Sequence, residues 1–124
     1  MKVAAKRAVV TGAGSGIGRA TALALARAGA EVIVADIDQS AARRTAEGCL
    51  AAGPASAWFE CDVSEAAAVD GLARRIEDEH GPVDVLVNNA GVGLVGDFLE
   101  GGAEDWDWLR GVNLDGVAYG CRAF

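Results

Sequence analysis

The 124-residue chain reads as a doubly wound α/β domain built on a parallel sheet. Short β-prone apolar runs alternate with longer helical ones, and a glycine-rich turn, Thr11 to Gly18, separates the first run from the first helix. The later strands end on acidic or amide residues, at Asp36, Asp62 and Asn88 to Gly91, where such a sheet binds its ligands.

In chain order, Val, Ile, Trp, Phe and Leu predict strands over Arg7 to Thr11, Glu31 to Asp36, Ser56 to Cys61 and Val83 to Asn88. Alanines, leucines and spaced charges predict helices over Ile17 to Ala28, Ser40 to Ala52, Ser64 to Glu79 and Ala103 to about Phe124. Ser64 stands where it could cap the third helix. His80, followed by Gly81 and Pro82, suits its C-terminus. In the last helix Trp106, Leu109, Asn113 and Val117 fall on one face, which places an amide in an apolar stripe. Parallel strands joined by right-handed crossovers then leave four βα units, with helices on both faces.

The length suits one domain spanning 1–124, and 52% hydrophobic residues suffice for a core. A net charge of −7 without a basic stripe argues against nucleic acid. Neither a signal-peptide core nor a membrane-length apolar span occurs, so a cytoplasmic protein without membrane partners is expected. The three cysteines, Cys49, Cys61 and Cys121, are far apart and form no C-x-x-C pair. Without a disulfide or metal pattern, they read as small core hydrophobes.

The glycine spacing separates three phosphate-binding turns. G-x-G-x-x-G fails at Ile17 when begun at Gly12 and at Arg19 when begun at Gly14. The P-loop pattern also meets Ile17 and lacks its lysine. T-G-x-x-x-G-x-G fits, with Gly12, Gly16 and Gly18 at its fixed positions and Ser15 and Ile17 between them. Such a turn offers the first N–H groups of a helix to an anion. A turn that uses glycine only for packing is the alternative.

Asp36 lies 18 residues beyond Gly18, near the spacing of about 20 at which a carboxylate meets the adenosine ribose. A carboxylate there would repel a 2′-phosphate, and neither Ser15 nor Ile37 supplies a compensating charge, so NAD is expected over NADP. Asp36 also suits a strand-end turn, with Asp38 free to cap the next helix. Asp62 and Val63 could flank an adenine ring, although Asp62 could instead help turn the chain into its helix. Asn89, Ala90 and Gly91 pair an amide that both donates and accepts with a residue that permits close approach, and they read equally as an Asn-Gly loop.

Together T-G-A-G-S-G-I-G, the Asp ending the second strand, C-D-V and N-N-A-G resemble the short-chain dehydrogenase/reductase family over nearly the whole chain. That resemblance implies a Rossmann-type fold. It gives the diphosphate to Gly12, Gly16, Ile17 and Gly18, the choice of NAD to Asp36, adenine to Asp62 and Val63, and sheet support beside the cofactor to Asn89, Ala90 and Gly91. It also implies that Asn113, in V-N-L, belongs to a catalytic tetrad and orders a water; an amide satisfied by local backbone is the alternative.

The family's hydride transfer between nicotinamide and an alcohol or carbonyl substrate uses a Ser and a Tyr-x-x-x-Lys. Here the sole tyrosine, Tyr119, is followed four residues on by Ala123, and the lysines are Lys2 and Lys6. The resemblance therefore implies the amino-terminal part of a longer oxidoreductase, homo-oligomeric when whole, truncated here after about four βα units and inactive alone. Its fourth strand would be left as an apolar edge. A non-catalytic NAD-binding or interaction module, or a poorly folded product, would account for the same residues.

Overall fold

The computed structural model describes residues 2–124. Four strands, β1 (Arg7–Thr11), β2 (Glu31–Asp36), β3 (Ser56–Glu60) and β4 (Val85–Val87), form one parallel sheet in the order β3-β2-β1-β4. Helices α1 (Gly16–Arg27), α2 (Gln39–Ala52) and α3 (Ala66–His80) make the crossovers; α4 (Ala103–Arg110) and α5 (Gly116–Ala123) follow β4. A parallel neighbour demands a crossover, and each helix returns the chain to the end of the sheet where the next strand begins.

The period of two along each strand sends alternate side chains to opposite faces. Val10, Val32 and Val34 pack with Ala22 and Ala26 of α1 and with Ala42, Ala46 and Cys49 of α2. Val9, Ile33, Ala35 and Phe59 meet Val69, Leu72 and Ile76 of α3, with Tyr119 and Ala123 of α5 at their edge. The small residues of α1 and α2 let those helices lie close to the sheet. The bulkier ones of α3 fill the wider opposite layer.

At the amino ends of the strands a polar cluster fastens three of them. Arg7 donates to Glu31 through Nε and an Nη at 3.1 and 2.7 Å and to the Pro82 carbonyl at 3.0 Å. Its backbone N–H donates to Asp84 at 2.9 Å, Asp84 donates back to the Arg7 carbonyl at 2.9 Å, and Lys6 pairs with Asp84 at 3.2 Å. His80 Nδ1 lies 3.4 Å from Glu31, and Gly81 ends α3 by donating to the carbonyls of Ile76 and Glu77.

Several boundaries differ from the sequence expectation. β3 ends at Glu60, one residue early, and β4 covers Val85–Val87 rather than residues 83 to 88. Asp84 takes the Arg7 N–H with its side chain, and Asn89 turns its N–H to the Thr11 hydroxyl at 3.1 Å, so side chains replace the ladder at both ends. Ser64 does not cap α3, because its N–H and hydroxyl both go to Asp62 Oδ1, at 3.0 and 2.6 Å. Asp38 does cap α2, accepting from Ala41 at 3.0 Å. Cys121 is exposed rather than in the core and accepts a long contact of 3.5 Å from the Asn88 amide.

The expected stripe of Trp106, Leu109, Asn113 and Val117 does not face the core either. A π-helical turn, Gly111–Asp115, lies between α4 and α5, and Val112, Gly116 and Gly120 are the buried positions. A Cβ on Gly116 would sit 2.8 Å from Val63 Cγ2, and one on Gly120 would collide with the Asn88 amide. The helix therefore brings its backbone against the chain leaving β3 and β4. The buried line runs through Val112, Gly116 and Gly120, with Tyr119 and Ala123 beside it, one position before the expected Asn113 and Val117.

Candidate functional site

The carboxyl ends of the strands open into a cleft of about 600 Å³. Its floor at β1 is the glycine turn. Gly12 has φ of +61°, and a Cβ there would lie 2.7 Å from Ala90 Cα, so the turn is pressed against the chain leaving β4. A Cβ on Gly18 would collide with the Asn89 amide nitrogen and the Gly12 carbonyl oxygen. Gly16 differs: at φ of +52° it has nothing within 4 Å of an added Cβ, and it faces the open cleft. Two of the three glycines thus serve packing, and the third leaves open space in the cleft.

Asn89 holds this arrangement. Its amide donates to the Thr11 carbonyl at 3.0 Å and to the Gly12 carbonyl at 3.1 Å. The Thr11 hydroxyl accepts the N–H groups of Asn89 and Ala90, each at 3.1 Å. Thr11 and Asn89 therefore join the ends of β1 and β4. The pattern T-G-x-x-x-G-x-G includes Thr11 but assigns it no role, because the partners of its hydroxyl lie 78 and 79 residues away.

Helix α1 begins at Gly16 without a side-chain cap from Ser15 and without an acidic residue in its first turn. Its leading N–H groups and the positive end of its dipole face the cleft. Among the described residues no Lys or Arg lines this cleft, so an anion there would be met by backbone donors.

At the end of β2 the Asp36 carboxylate accepts the Gly14 N–H at 2.8 Å and the Asp38 N–H at 2.9 Å. One bond falls on each oxygen, which fixes the group and leaves each oxygen able to accept again. Gly14 matters here although the motif leaves it unspecified: a Cβ would stand 2.7 Å from Ala41 Cβ and 2.9 Å from Asp36 Oδ2. Ile37 follows, 65% exposed, as an apolar lip.

Beyond β3, Cys61, Asp62 and Val63 line the same cleft. Both bonds of Asp62 with Ser64 use Oδ1. Burial, and secondarily the charge of Asp62, pushes the Cys61 thiol up to about 11, so it stays a neutral wall rather than a nucleophile.

Ser15, Ile17, Ala90 and Gly91 complete the cleft residues expected from the sequence, and all twelve of those cofactor positions lie around this one opening. Asn113 lies outside it. Its Oδ1 accepts the Val92 N–H and its Nδ2 donates to the Val92 carbonyl, both at 2.8 Å. The amide is thus satisfied by backbone, but by backbone 21 residues away, and it pins the cleft edge where Val92 lies. Trp108 and Val112 also line the cleft and were not anticipated. The apolar spacing of the last helix gave no sign of them because the stripe it predicted was the wrong one.

A model of the family described as short chain dehydrogenase matches residues 6–124. The chain is 52% identical over 115 residues to "Probable oxidoreductase EphD" of Mycobacterium tuberculosis, which covers 93% of this chain and 19% of that protein. The crystal structure of a short chain dehydrogenase/reductase from Burkholderia phymatum in complex with NAD superposes with a TM-score of 0.94 at 44% identity, covering 100% of this chain and 44% of that one. A metagenomic short-chain oxidoreductase in complex with NADP gives a TM-score of 0.93 at 38% identity, covering 100% of this chain and 57% of that one. The chain thus spans a fifth of the curated relative and about half of the two solved chains.

Proposed function

Because the chain belongs to the short-chain dehydrogenase family, we propose that it is the dinucleotide-holding portion of an oxidoreductase and that its cleft takes NAD in preference to NADP. The open Gly16 position and the uncapped start of α1 suit a diphosphate, and the fixed Asp36 carboxylate suits the two hydroxyls of an adenosine ribose. Asp36 is the observation that carries the choice. Its charge is held by two backbone donors, Ile37 beside it brings no cation, and a 2′-phosphate would meet a carboxylate that cannot turn away.

When bound, NAD supplies the carbon that accepts or returns a hydride. The residues of this chain would bind and orient it: Asn89 and Thr11 keep the glycine turn against β4, Asp62 and Val63 would flank the base, and Asn113 fixes the edge through Val92. For the proton relay that the family resemblance implies, Asn113 would act from this clamped position. Substrate chemistry, on an alcohol or carbonyl carbon, belongs to the whole protein, since no Tyr-x-x-x-Lys occurs in these 124 residues.

Calorimetry on this chain tests the reading. NAD should bind, NADP should bind at least ten-fold more weakly, and Asp36→Ser should narrow that gap chiefly by admitting NADP. Equal affinity of the parent for both dinucleotides would refute the assignment of selectivity to Asp36, and absence of NAD binding would refute the cofactor reading itself.

A further inference from the structure

We propose that Trp108 is a stacking wall for the purine base of the dinucleotide, an inference that rests on the cofactor reading above. The sheet order arranges the cleft in one direction. The glycine turn lies at the end of β1, Asp36 at the end of β2 and Asp62 and Val63 beyond β3, the outer strand on that side. Diphosphate at the first and ribose at the second leave the third for the base.

Trp108 stands over that third position. Three and four residues on, Gly111 and Val112 share its side of the helix and are seated on the chain that follows β3. A Cβ on Gly111 would be 3.3 Å from Ser64 Cβ, and Val112 packs in one cluster with Cys61 and Val63. The turn carrying Trp108 is therefore held against residues 61 to 64, and Trp108 lines the cleft with Ile37, Val63 and Val112. These residues offer apolar surface around a flat heteroaromatic ring, with the indole as the one aromatic face.

The three tryptophans have different fates. Trp58 packs against the core of the sheet, and Trp106 stacks edge to face on Phe98 with ring centroids 5.4 Å apart. Trp108 is 45% exposed and has no aromatic partner among the described residues. A large half-open indole facing a cleft has its area still to bury, and a base is a ligand of matching shape.

The test uses 5′-AMP and NAD with the parent chain, Trp108→Ala and Trp108→Phe. AMP and NAD should bind Trp108→Ala on the order of ten-fold more weakly than the parent, and Trp108→Phe should recover most of the loss. A second measurement leaves Trp108 in place: in a Trp58→Phe, Trp106→Phe background, AMP should quench the remaining tryptophan emission. Undiminished binding of AMP by Trp108→Ala, or AMP binding seen by calorimetry without quenching of Trp108, would overturn the proposal while leaving the cofactor reading intact. Failure of the parent to bind either ligand would instead bring down the cofactor reading, and this proposal with it.

Discussion

Removing the Asn89 amide should loosen the joint between the glycine turn and β4 by an amount the structure sets. Asn89→Ala deletes two donations, to the carbonyls of Thr11 and Gly12 at 3.0 and 3.1 Å, while sparing the backbone bonds to the Thr11 hydroxyl. At about 1 kcal/mol net for each bond the loss is about 2 kcal/mol. With unfolding entropy near 2.1 cal/mol/K per residue, a chain of 124 residues should melt about 8 °C lower. Asn89→Asp sharpens the test. A carboxylate is nearly the same size but cannot donate, and it would face two carbonyl oxygens, so it should cost more than the alanine. Urea and thermal unfolding followed by circular dichroism would measure both variants. Stability of Asn89→Ala within about 0.5 kcal/mol of the parent, or an Asn89→Asp variant as stable as the parent, would refute the reasoning.

Three further outcomes follow from other parts of the molecule. The Thr45 hydroxyl is buried in α2 without a hydrogen-bond partner, so Thr45→Val, nearly the same shape, should raise stability by about 1 kcal/mol in urea titrations; a loss of stability would mean the hydroxyl is satisfied. The Arg7 backbone N–H, with Lys6 second, holds the Asp84 carboxyl below its ordinary value of 3.8. Its contribution is present above that value and lost as pH falls through the lowered one, so Asp84→Asn should be less stable at neutral pH and match the parent near pH 2; a gap independent of pH would exclude this account. Cys121 is exposed while Cys49 and Cys61 are buried, with burial pushing both buried thiols up. A thiol reagent should therefore label one site per native chain at once and the other two only on unfolding, and fast labelling of Cys61 would contradict its neutral, enclosed state.

Much of this site was legible because its chemistry depends on short range. The turn from Thr11 to Gly18, the carboxylate ending β2 and the Asn-Ala-Gly after β4 are each local solutions to a local demand, and a parallel sheet gathers strand ends without further instruction. What stayed hidden depends on partners distant in sequence. The buried face of the last helix runs through Val112, Gly116 and Gly120, and two of those three positions are glycines whose value lies in having no side chain, so hydrophobic periodicity favours the line of Trp106 and Leu109 instead. The π-helical turn that rotates Trp108 and Val112 relative to the residues after it leaves no compositional mark. The amide of Asn113 in an apolar helix requires partners, and the fold brings Val92, 21 residues away, to supply both.

The pairing of β4 with β1 has a mechanical consequence. Only three residues of β4 form the ladder, and among the described strands β1 is its sole neighbour. So short a strand would ordinarily fray from its tips or slip by a residue, which would carry every side chain to the opposite face. Here Arg7 and Asp84 lock one tip and Thr11 and Asn89 the other, so the ladder has a stop at each end. The strand can leave only by letting go of both stops at once. Its amides should therefore exchange hydrogen with solvent as one cooperative unit with the centre of the sheet rather than as a loose margin.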